Sequence, residues 1–275
     1  MAFKEKLKKS YLFFWNALPE RNIKNHIRCL IFNIIGDKDI HSSFNNEYFT
    51  FDINGIKIKS YYWETRSFYS PDMKGYLRKY KIKPGDIIVD GGASVGLFTI
   101  YASKIIGNKG KILAFEPDFE YYGKLKRNLE LNYINNVILI NKGLWNKKDI
   151  LEFYNTHRGD SSFVFDKESY IIDSKSLHNK LDITKVEVTT LDHELEKNGL
   201  KKVDFIKMDI EGAEMNALYG AKKILKSYPV NLAIASYHIV DGKKTCFALK
   251  EILEEMGYMA DIEYPVHLTT YGYKK

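Results

Sequence analysis

Cysteine is nearly absent from this 275-residue chain. There are two, Cys29 and Cys246, far apart and in no paired spacing, so neither a disulfide framework nor a cysteine-based zinc knuckle is indicated. Two buried thiols in a reducing, cytoplasmic location are the expectation. Proline is scarce too, at six scattered residues, and no linker-like stretch, internal repeat or low-complexity segment marks a domain boundary. No apolar run reaches the roughly 20 residues needed to span a bilayer, so no transmembrane segment is expected. One signature is also missing: without G-K-[ST] after its glycines the chain has no phosphate-binding P-loop.

Lysine and arginine exceed the acids by 42 to 35, a formal net charge of +7. That balance permits an approach to anionic surfaces but is too diffuse to indicate nucleic-acid binding. With 45% hydrophobic residues the chain can bury a large core, and one catalytic domain with a leader is the natural partition. The boundary is placed near Tyr76 to Lys83, before Pro84-Gly85, giving an extension over residues 1–78 and a domain over 79–275. Tyr11-Leu-Phe-Phe-Trp15, behind Lys4, Lys6, Lys8 and Lys9, has a superficial likeness to a signal peptide. The run breaks at Asn16, Pro19-Glu20-Arg21 follows without a small-residue cleavage site, and the segment reads as mature sequence. Phe3, Leu7 and Phe14 with Lys4 and Lys8 could lie flat on a membrane surface. Packing of this segment on the catalytic domain or on a second subunit is the favoured expectation, so peripheral membrane contact or self-association falls to residues 1–35. Further on, Phe49, Phe51 and Ile53, then Ile56 and Ile58, alternate about Asn54-Gly55, which predicts a β-hairpin.

The chemistry-bearing stretch is Asp86-Ile-Ile-Val-Asp90-Gly-Gly-Ala-Ser-Val-Gly96-Leu-Phe-Thr-Ile100. Ile87 to Val89 lack polar alternation, as in a strand covered on both faces of a parallel sheet. Gly91, Gly92 and Gly96 then allow a sharp turn and close approach to a ligand, and Leu97 to Ile106 has helical spacing. A second apolar strand, Lys111 to Phe115, ends at Glu116. In a doubly wound sheet that carboxylate lies beside the glycine loop, where it can accept both hydroxyl protons of a ribose; an ordinary solvated loop acid is the rival reading.

The glycine pattern discriminates among nucleotide cofactors. A dinucleotide loop wants G-x-G-x-x-G, and read from Gly91 this chain has Ala93 at the second position. What fits is D-x-G-x-x-x-G, with Asp90 at the strand end followed by Gly92 and Gly96. A ligand with an amino-acid portion and an adenosine ribose but no pyrophosphate suits this loop, Asp90 holding the amine region and Glu116 the sugar. S-adenosylmethionine is such a ligand.

Downstream the strand and helix alternation continues. Helices are predicted over Phe119 to Leu131, Ala213 to Lys226 and Lys244 to Met256, the last stopped by Gly257. Strands are predicted over Val137 to Asn141, Val203 to Met208 and Val230 to Ser236. Tyr258 to Glu263 and His267 to Tyr273 are joined by a link too short for a parallel crossover and must pair antiparallel. Phe153 to Lys185, with Arg158-Gly-Asp-Ser-Ser162, breaks the rhythm and is expected to be a long substrate-shaping loop.

Asp90-Gly-Gly-Ala-Ser-Val-Gly96, Ala114-Phe-Glu-Pro117, Val188-Thr-Thr-Leu-Asp192, Asp204-Phe-Ile-Lys-Met-Asp-Ile-Glu-Gly-Ala-Glu214 and Gly220-Ala221 together resemble the FkbM-type family of S-adenosylmethionine-dependent methyltransferases. The likeness runs over roughly residues 80 to 273 and is most specific in Lys-Met-Asp-Ile-Glu-Gly-Ala-Glu. It departs from the general class I loop at Ser94, where a third glycine is common. The resemblance implies an α/β fold of class I, Rossmann-like type: a mostly parallel sheet with an antiparallel C-terminal hairpin, here carrying an N-terminal helical and hairpin extension. It also implies S-adenosylmethionine as cofactor and O-methylation of a hydroxyl on a small-molecule, glycan or lipid-type acceptor. The cofactor contacts expected are Asp90, Gly91, Gly92, Ser94, Gly96, Glu116, Pro117 and Asp209.

Methyl transfer needs chiefly alignment, plus a base where the acceptor is a hydroxyl. Asp209, directly after the fourth main strand, is the first catalytic candidate, with a cap of the next helix as its rival role. Glu211 is the second. Glu214 reads more readily as an acid stabilising the following helix dipole. His238 after the fifth strand is the best-placed histidine for a general base, ahead of His267 and His193. Asp209, Glu211 and His238 could jointly hold a divalent metal, although they come from separate strands without a compact metal motif, so metal is not called. The fourth strand ends in Asp-Ile-Glu-Gly rather than an Asn/Asp-Pro-Pro-Tyr element, which argues against methylation of nucleic-acid bases. An RNA or protein methyltransferase using the basic leader, and a non-catalytic cofactor-binding module, are the alternatives.

Overall fold

The structure, a computed structural model, describes residues 21–35, 38–63, 72–155, 161–163 and 182–274. The expectations for Phe3 to Trp15 and for Arg158 to Asp160 lie outside these residues. Two units are present, residues 1–69 and 70–275.

In the first unit, helix α1 (Arg21–Ile35) precedes a three-stranded antiparallel sheet of β1 (Ile40–Phe44), β2 (Phe49–Ile53) and β3 (Ile56–Ser60). The β2–β3 hairpin turns at Asn54 (φ 51°) and Gly55 (φ 86°), as the Asn-Gly pair predicts. Strand β1 was not foreseen. It is fastened to α1 by Asn33, whose side chain bonds both the N–H and the carbonyl of Ser42. Phe32 meets Phe51 and Trp63 edge-on, so the buried face of α1 closes an aromatic core. Ile23, Leu30 and Ile34 are exposed.

The second unit opens with the short helix α2 (Asp72–Tyr76). Its Gly75 carbonyl accepts a hydrogen bond from Tyr271 and its Tyr76 hydroxyl donates to Asp209. These bonds tie α2 into this unit, and the division therefore falls at 69/70 rather than 78/79. There follow β4 (Ile87–Gly91), α3 (Leu97–Ile106), β5 (Lys111–Phe115), α4 (Phe119–Leu131), β6 (Val137–Ile140), β7 (Gly143–Leu144), β8 (Asp149–Asn155) and β9 (Asp182–Thr189). The chain continues through α5 (Leu191–Lys197), β10 (Phe205–Met208), α6 (Glu214–Tyr219), α7 (Lys222–Ser227), β11 (Asn231–Ala235), β12 (Ile239–Val240), β13 (Lys243–Lys244), α8 (Thr245–Glu255), β14 (Met259–Glu263) and β15 (Thr269–Tyr273).

The central sheet has seven strands in the order β14-β15-β11-β10-β4-β5-β6. β11, β10, β4, β5 and β6 are parallel, and β15 runs antiparallel to both β11 and β14. The mostly apolar strands are explained by burial on both faces, since every residue of β10 and all but the first of β4, β5 and β11 are buried; on one side Val89, Leu113, Ile206 and Leu232 sit among Leu218, Leu225, Leu249 and Leu253 of the covering helices. Each such side chain contributes about 1.5–3 kcal/mol by leaving water.

Two local expectations are corrected. The single helix expected from Ala213 to Lys226 is two, α6 and α7. At the break the Gly220 carbonyl accepts from Asp192 N–H, and the Asp192 carboxylate accepts the N–H groups of Lys223 and Ile224, capping α7 from outside. A Cβ on Gly220 would lie 1.9 Å from the Trp145 carbonyl oxygen, so the helix must give way where that backbone passes. The segment Phe153 to Lys185 is also not wholly loop. Its described ends belong to β8 and β9, which pair antiparallel in a small sheet of order β7-β9-β8.

Candidate active site

The site lies at the carboxyl ends of β4, β5, β10 and β11, where a parallel sheet gathers its loops. After β4 the backbone turns through Gly92 at φ +74°, and a Cβ there would stand 1.9 Å from the Asp209 carbonyl oxygen. The loop and the end of β10 thus touch through bare backbone, which is why glycine is required. Gly92 and Ala93 both donate N–H groups to the Phe115 carbonyl, drawing the loop against the end of β5. Gly91 is the last residue of β4, close to Leu144 and Met208.

Glu116 follows β5 and is buried. Ser94 N–H donates to its Oε2 at 2.8 Å and Asp118 N–H to its Oε1 at 3.0 Å. Burial pushes its pKa from 4.5 up to about 7, against the pull of those two N–H groups. Ser94 stands at φ 50°, the conformation that aims its N–H at Glu116. Pro117 and Glu116 accept hydrogen bonds through their carbonyls from Asn141, which holds the turn leaving β5. Asp118 caps α4 by accepting from Glu120 and Tyr121, and Asn155 of β8 donates to its other oxygen. Gly96 ends the loop at φ +91°.

Asp90 is fully buried, and both its oxygens are engaged by the protein's own groups: Thr99 donates to Oδ2 at 2.5 Å and Lys207 pairs with Oδ1 at 2.9 Å. Lys207 is the register partner of Asp90 across β10 and β4, and its ammonium also donates to the Gly91 and Gly92 carbonyls. Asp90 therefore acts on the cofactor loop from beneath, through Lys207. A lysine inside the apolar run Phe205-Ile-Lys-Met208 is the sequence signal for this buried pair.

Asp209, Glu211 and His238 converge beyond the ends of β10 and β11. His238 Nε2 lies 3.4 Å from Asp209 Oδ1 and 3.3 Å from Glu211 Oε2, and Nδ1 lies 3.0 Å from Glu214 Oε1. Glu211 is held at φ 55°, a left-handed conformation uncommon outside glycine, and its carbonyl accepts from Ser162. Glu214 is fully buried and accepts the N–H groups of Ile210 and Gly212, so it shapes the turn and backs the imidazole rather than merely serving the α6 dipole. Asp209 makes no helix cap. Tyr76 donates to its Oδ2 at 2.7 Å, and Tyr237 also reaches it, at 3.3 Å. Tyr76 in turn meets His267 Nε2 at 3.2 Å. Both tyrosines escaped the sequence reading, and Tyr76, 133 residues away in the chain, left no signal that could have found it.

The charges explain the titration. Burial lowers the pKa of His238, but Glu214, Asp209 and Glu211 overcome that and raise it well above the usual value. Burial, with the Asp209 and Glu214 charges, raises Glu211. Burial alone would also raise Asp209, yet His238, Lys207 and Tyr76 together hold it below the ordinary carboxylate range. A cavity of about 320 Å³ lined in part by Tyr80, Phe205 and Lys274 lies toward the amino ends of β10 and β11 and shares only Tyr76 with this cluster.

The residues fit an adenosine-type cofactor. Glu116 offers two buried oxygens to a ribose diol, and Gly92 keeps the loop free of side chains where it passes Asp209. This sheet order, turn and carboxylate define a class I S-adenosylmethionine-dependent methyltransferase. Residues 90–260 match the methyltransferase FkbM domain, and the chain belongs to that family. It is 31% identical over 194 residues to Methyltransferase 1 of Beauveria bassiana, covering 65% of this chain and 74% of that protein. It is 30% identical over 154 residues to Methyltransferase sdnD of Sordaria araneosa, covering 48% of this chain and 59% of that one. The crystal structure of methyltransferase FkbM from Methylobacillus flagellatus shares the fold with a TM-score of 0.50 at 19% identity, over 71% of this chain and 45% of that one.

Proposed function

We propose that this methyltransferase transfers its methyl group to a hydroxyl of a small-molecule, glycan or lipid-type acceptor. The observation that carries the reading is the convergence of Asp209, Glu211 and His238, whose ligand atoms lie within 4.8 Å of one another beside the glycine loop that Asp209 touches. A hydroxyl is a donor of one proton, and this cluster presents carboxylates to receive it. Asp-Ile-Glu-Gly after β10 also lacks the flat carbonyl and aromatic frame suited to a base amino group.

S-adenosylmethionine, when bound, would supply a methyl group activated by its sulfonium, the balanced products being a methyl ether, S-adenosylhomocysteine and the acceptor's proton. The protein's part is placement. Glu116 would hold the ribose, the Gly91-Gly92 turn would let the cofactor lie against bare backbone, and Lys207 with Asp90 ties that turn down. Asp209, fixed by Tyr76 and Tyr237, would orient the acceptor hydroxyl, and Glu211, the more basic of the two acids, would take its proton, with His238 between them.

The test is incubation of the full chain with S-adenosylmethionine and a panel of hydroxylated small molecules, sugars and lipids, following S-adenosylhomocysteine and methyl ether by mass spectrometry. Glu211→Gln is expected to lower turnover by roughly 10²- to 10⁴-fold, the range for a lost acid–base group, with cofactor affinity changed far less. Methylation confined to RNA or protein in the same assay would reject the acceptor class.

A further inference from the structure

We propose that Asp209, Glu211 and His238 form a binding site for one divalent cation of the Mg²⁺/Mn²⁺ type, with its remaining coordination positions open to water or to an acceptor hydroxyl. The three groups supply two carboxylate oxygens and one imidazole nitrogen. His238 Nε2 is 3.4 Å from Asp209 Oδ1 and 3.3 Å from Glu211 Oε2. A direct charge-assisted hydrogen bond between such groups runs at about 2.7–2.9 Å, so these separations are too long for firm pairing. They suit the spacing of about 3 Å between neighbouring ligands of one ion with bonds of about 2.0–2.3 Å.

The second observation is the imidazole itself. His238 is only 9% exposed, yet neither ring nitrogen makes a hydrogen bond of proper geometry. A buried Nε2 with no well-made hydrogen bond costs free energy, and a cation that displaces the ring's proton takes the lone pair so freed. Behind it, Glu214 faces Nδ1 at 3.0 Å, the carboxylate–histidine arrangement that fixes a ligating ring and directs the opposite nitrogen at a metal. Glu214 is itself locked by Ile210 and Gly212 N–H groups. The ring is also fixed through its backbone, because the His238 carbonyl accepts from Thr245 N–H at the start of α8. Lys207, the buried cation nearby in the fold, is engaged with Asp90 and two loop carbonyls, leaving the cluster rich in negative charge. Carboxylates with one imidazole favour Mg²⁺ or Mn²⁺ over thiophilic ions.

The cation site stands on this geometry alone. Its use, to lower the pKa of an acceptor hydroxyl, rests on the O-methylation reading.

Mn²⁺ titration of the full chain, read by loss of the free-ion signal in electron paramagnetic resonance, tests the site without any acceptor. One bound Mn²⁺ per chain is expected, with affinity at least about tenfold weaker in both Glu211→Gln and His238→Gln and retained in Glu116→Ala. Glu211 is partly exposed, so its variant is expected to fold, which circular dichroism checks. No saturable Mn²⁺ binding by the wild-type chain, or binding indifferent to Glu211→Gln, would overturn the proposal. Bound Mn²⁺ without turnover of any hydroxylated acceptor would support the site and reject the acceptor class, so the two failures are separable.

Discussion

Glu116 shows what a single residue contributes and what it costs. Its pKa of about 7 against an ordinary 4.5 means that the folded protein holds a proton there which the unfolded chain has already lost. Stability from this group is complete below pH 4.5 and declines as pH rises toward 7. At about 1.4 kcal/mol per pH unit, the displacement amounts to about 3 kcal/mol. Urea denaturation should therefore show Glu116→Gln gaining on the wild type by about that amount between pH 4.5 and 7, with no further gain above. Cofactor affinity should move oppositely. If Glu116 holds the ribose as proposed, the ionised carboxylate is the form that accepts its two hydroxyls, so wild-type affinity for S-adenosylmethionine should fall as pH drops below 7, and calorimetry should find the variant weak at every pH. Lys207 is the companion case. Removing it as Lys207→Met leaves Asp90 buried without a counter-charge, and a loss of about 3–5 kcal/mol is expected in urea; adding Asp90→Asn should restore a large part.

At the scale of elements, the parallel strands of the main sheet were legible because each is mostly apolar and each is bounded by a turn signal. α3, β5 and α4 fall where periodicity places them, and the β14–β15 hairpin follows from the short Tyr264-Pro265-Val266 link. What failed was decided by distant contacts. The α6–α7 break depends on Trp145 backbone and the Asp192 carboxylate, neither of which is local to Gly220. Asp192→Ala should cost about 1 kcal/mol, the usual worth of such a cap, measured by denaturation and expressed first at α7 in hydrogen exchange. Strands β8 and β9 were hidden because Asp149 to Asn155 and Asp182 to Thr189 expose residues on both faces, so neither carries clean alternation. Within the site, Glu116 and Asp209 were readable from their places after strands. Tyr76 was not, since α2 is brought to Asp209 only by the closing of the whole sheet.

For the molecule as a whole, two units divide near Tyr69, and the second holds the cofactor turn and the acid cluster. Among the described residues no helix is long and apolar enough to cross a membrane. Among the described residues the site is built of buried and half-buried acids around His238, so turnover of a small acceptor should vary little with salt, whereas an RNA acceptor would show binding that falls linearly in log–log terms as salt rises. The central claim is that the turn after β4 and the carboxylate after β5 bind S-adenosylmethionine. Isothermal titration of the full chain with S-adenosylmethionine and S-adenosylhomocysteine, with Glu116→Ala alongside, tests it most directly. The account predicts saturable binding of both ligands by the wild type and its loss in the variant; a folded wild-type chain that binds neither would contradict it.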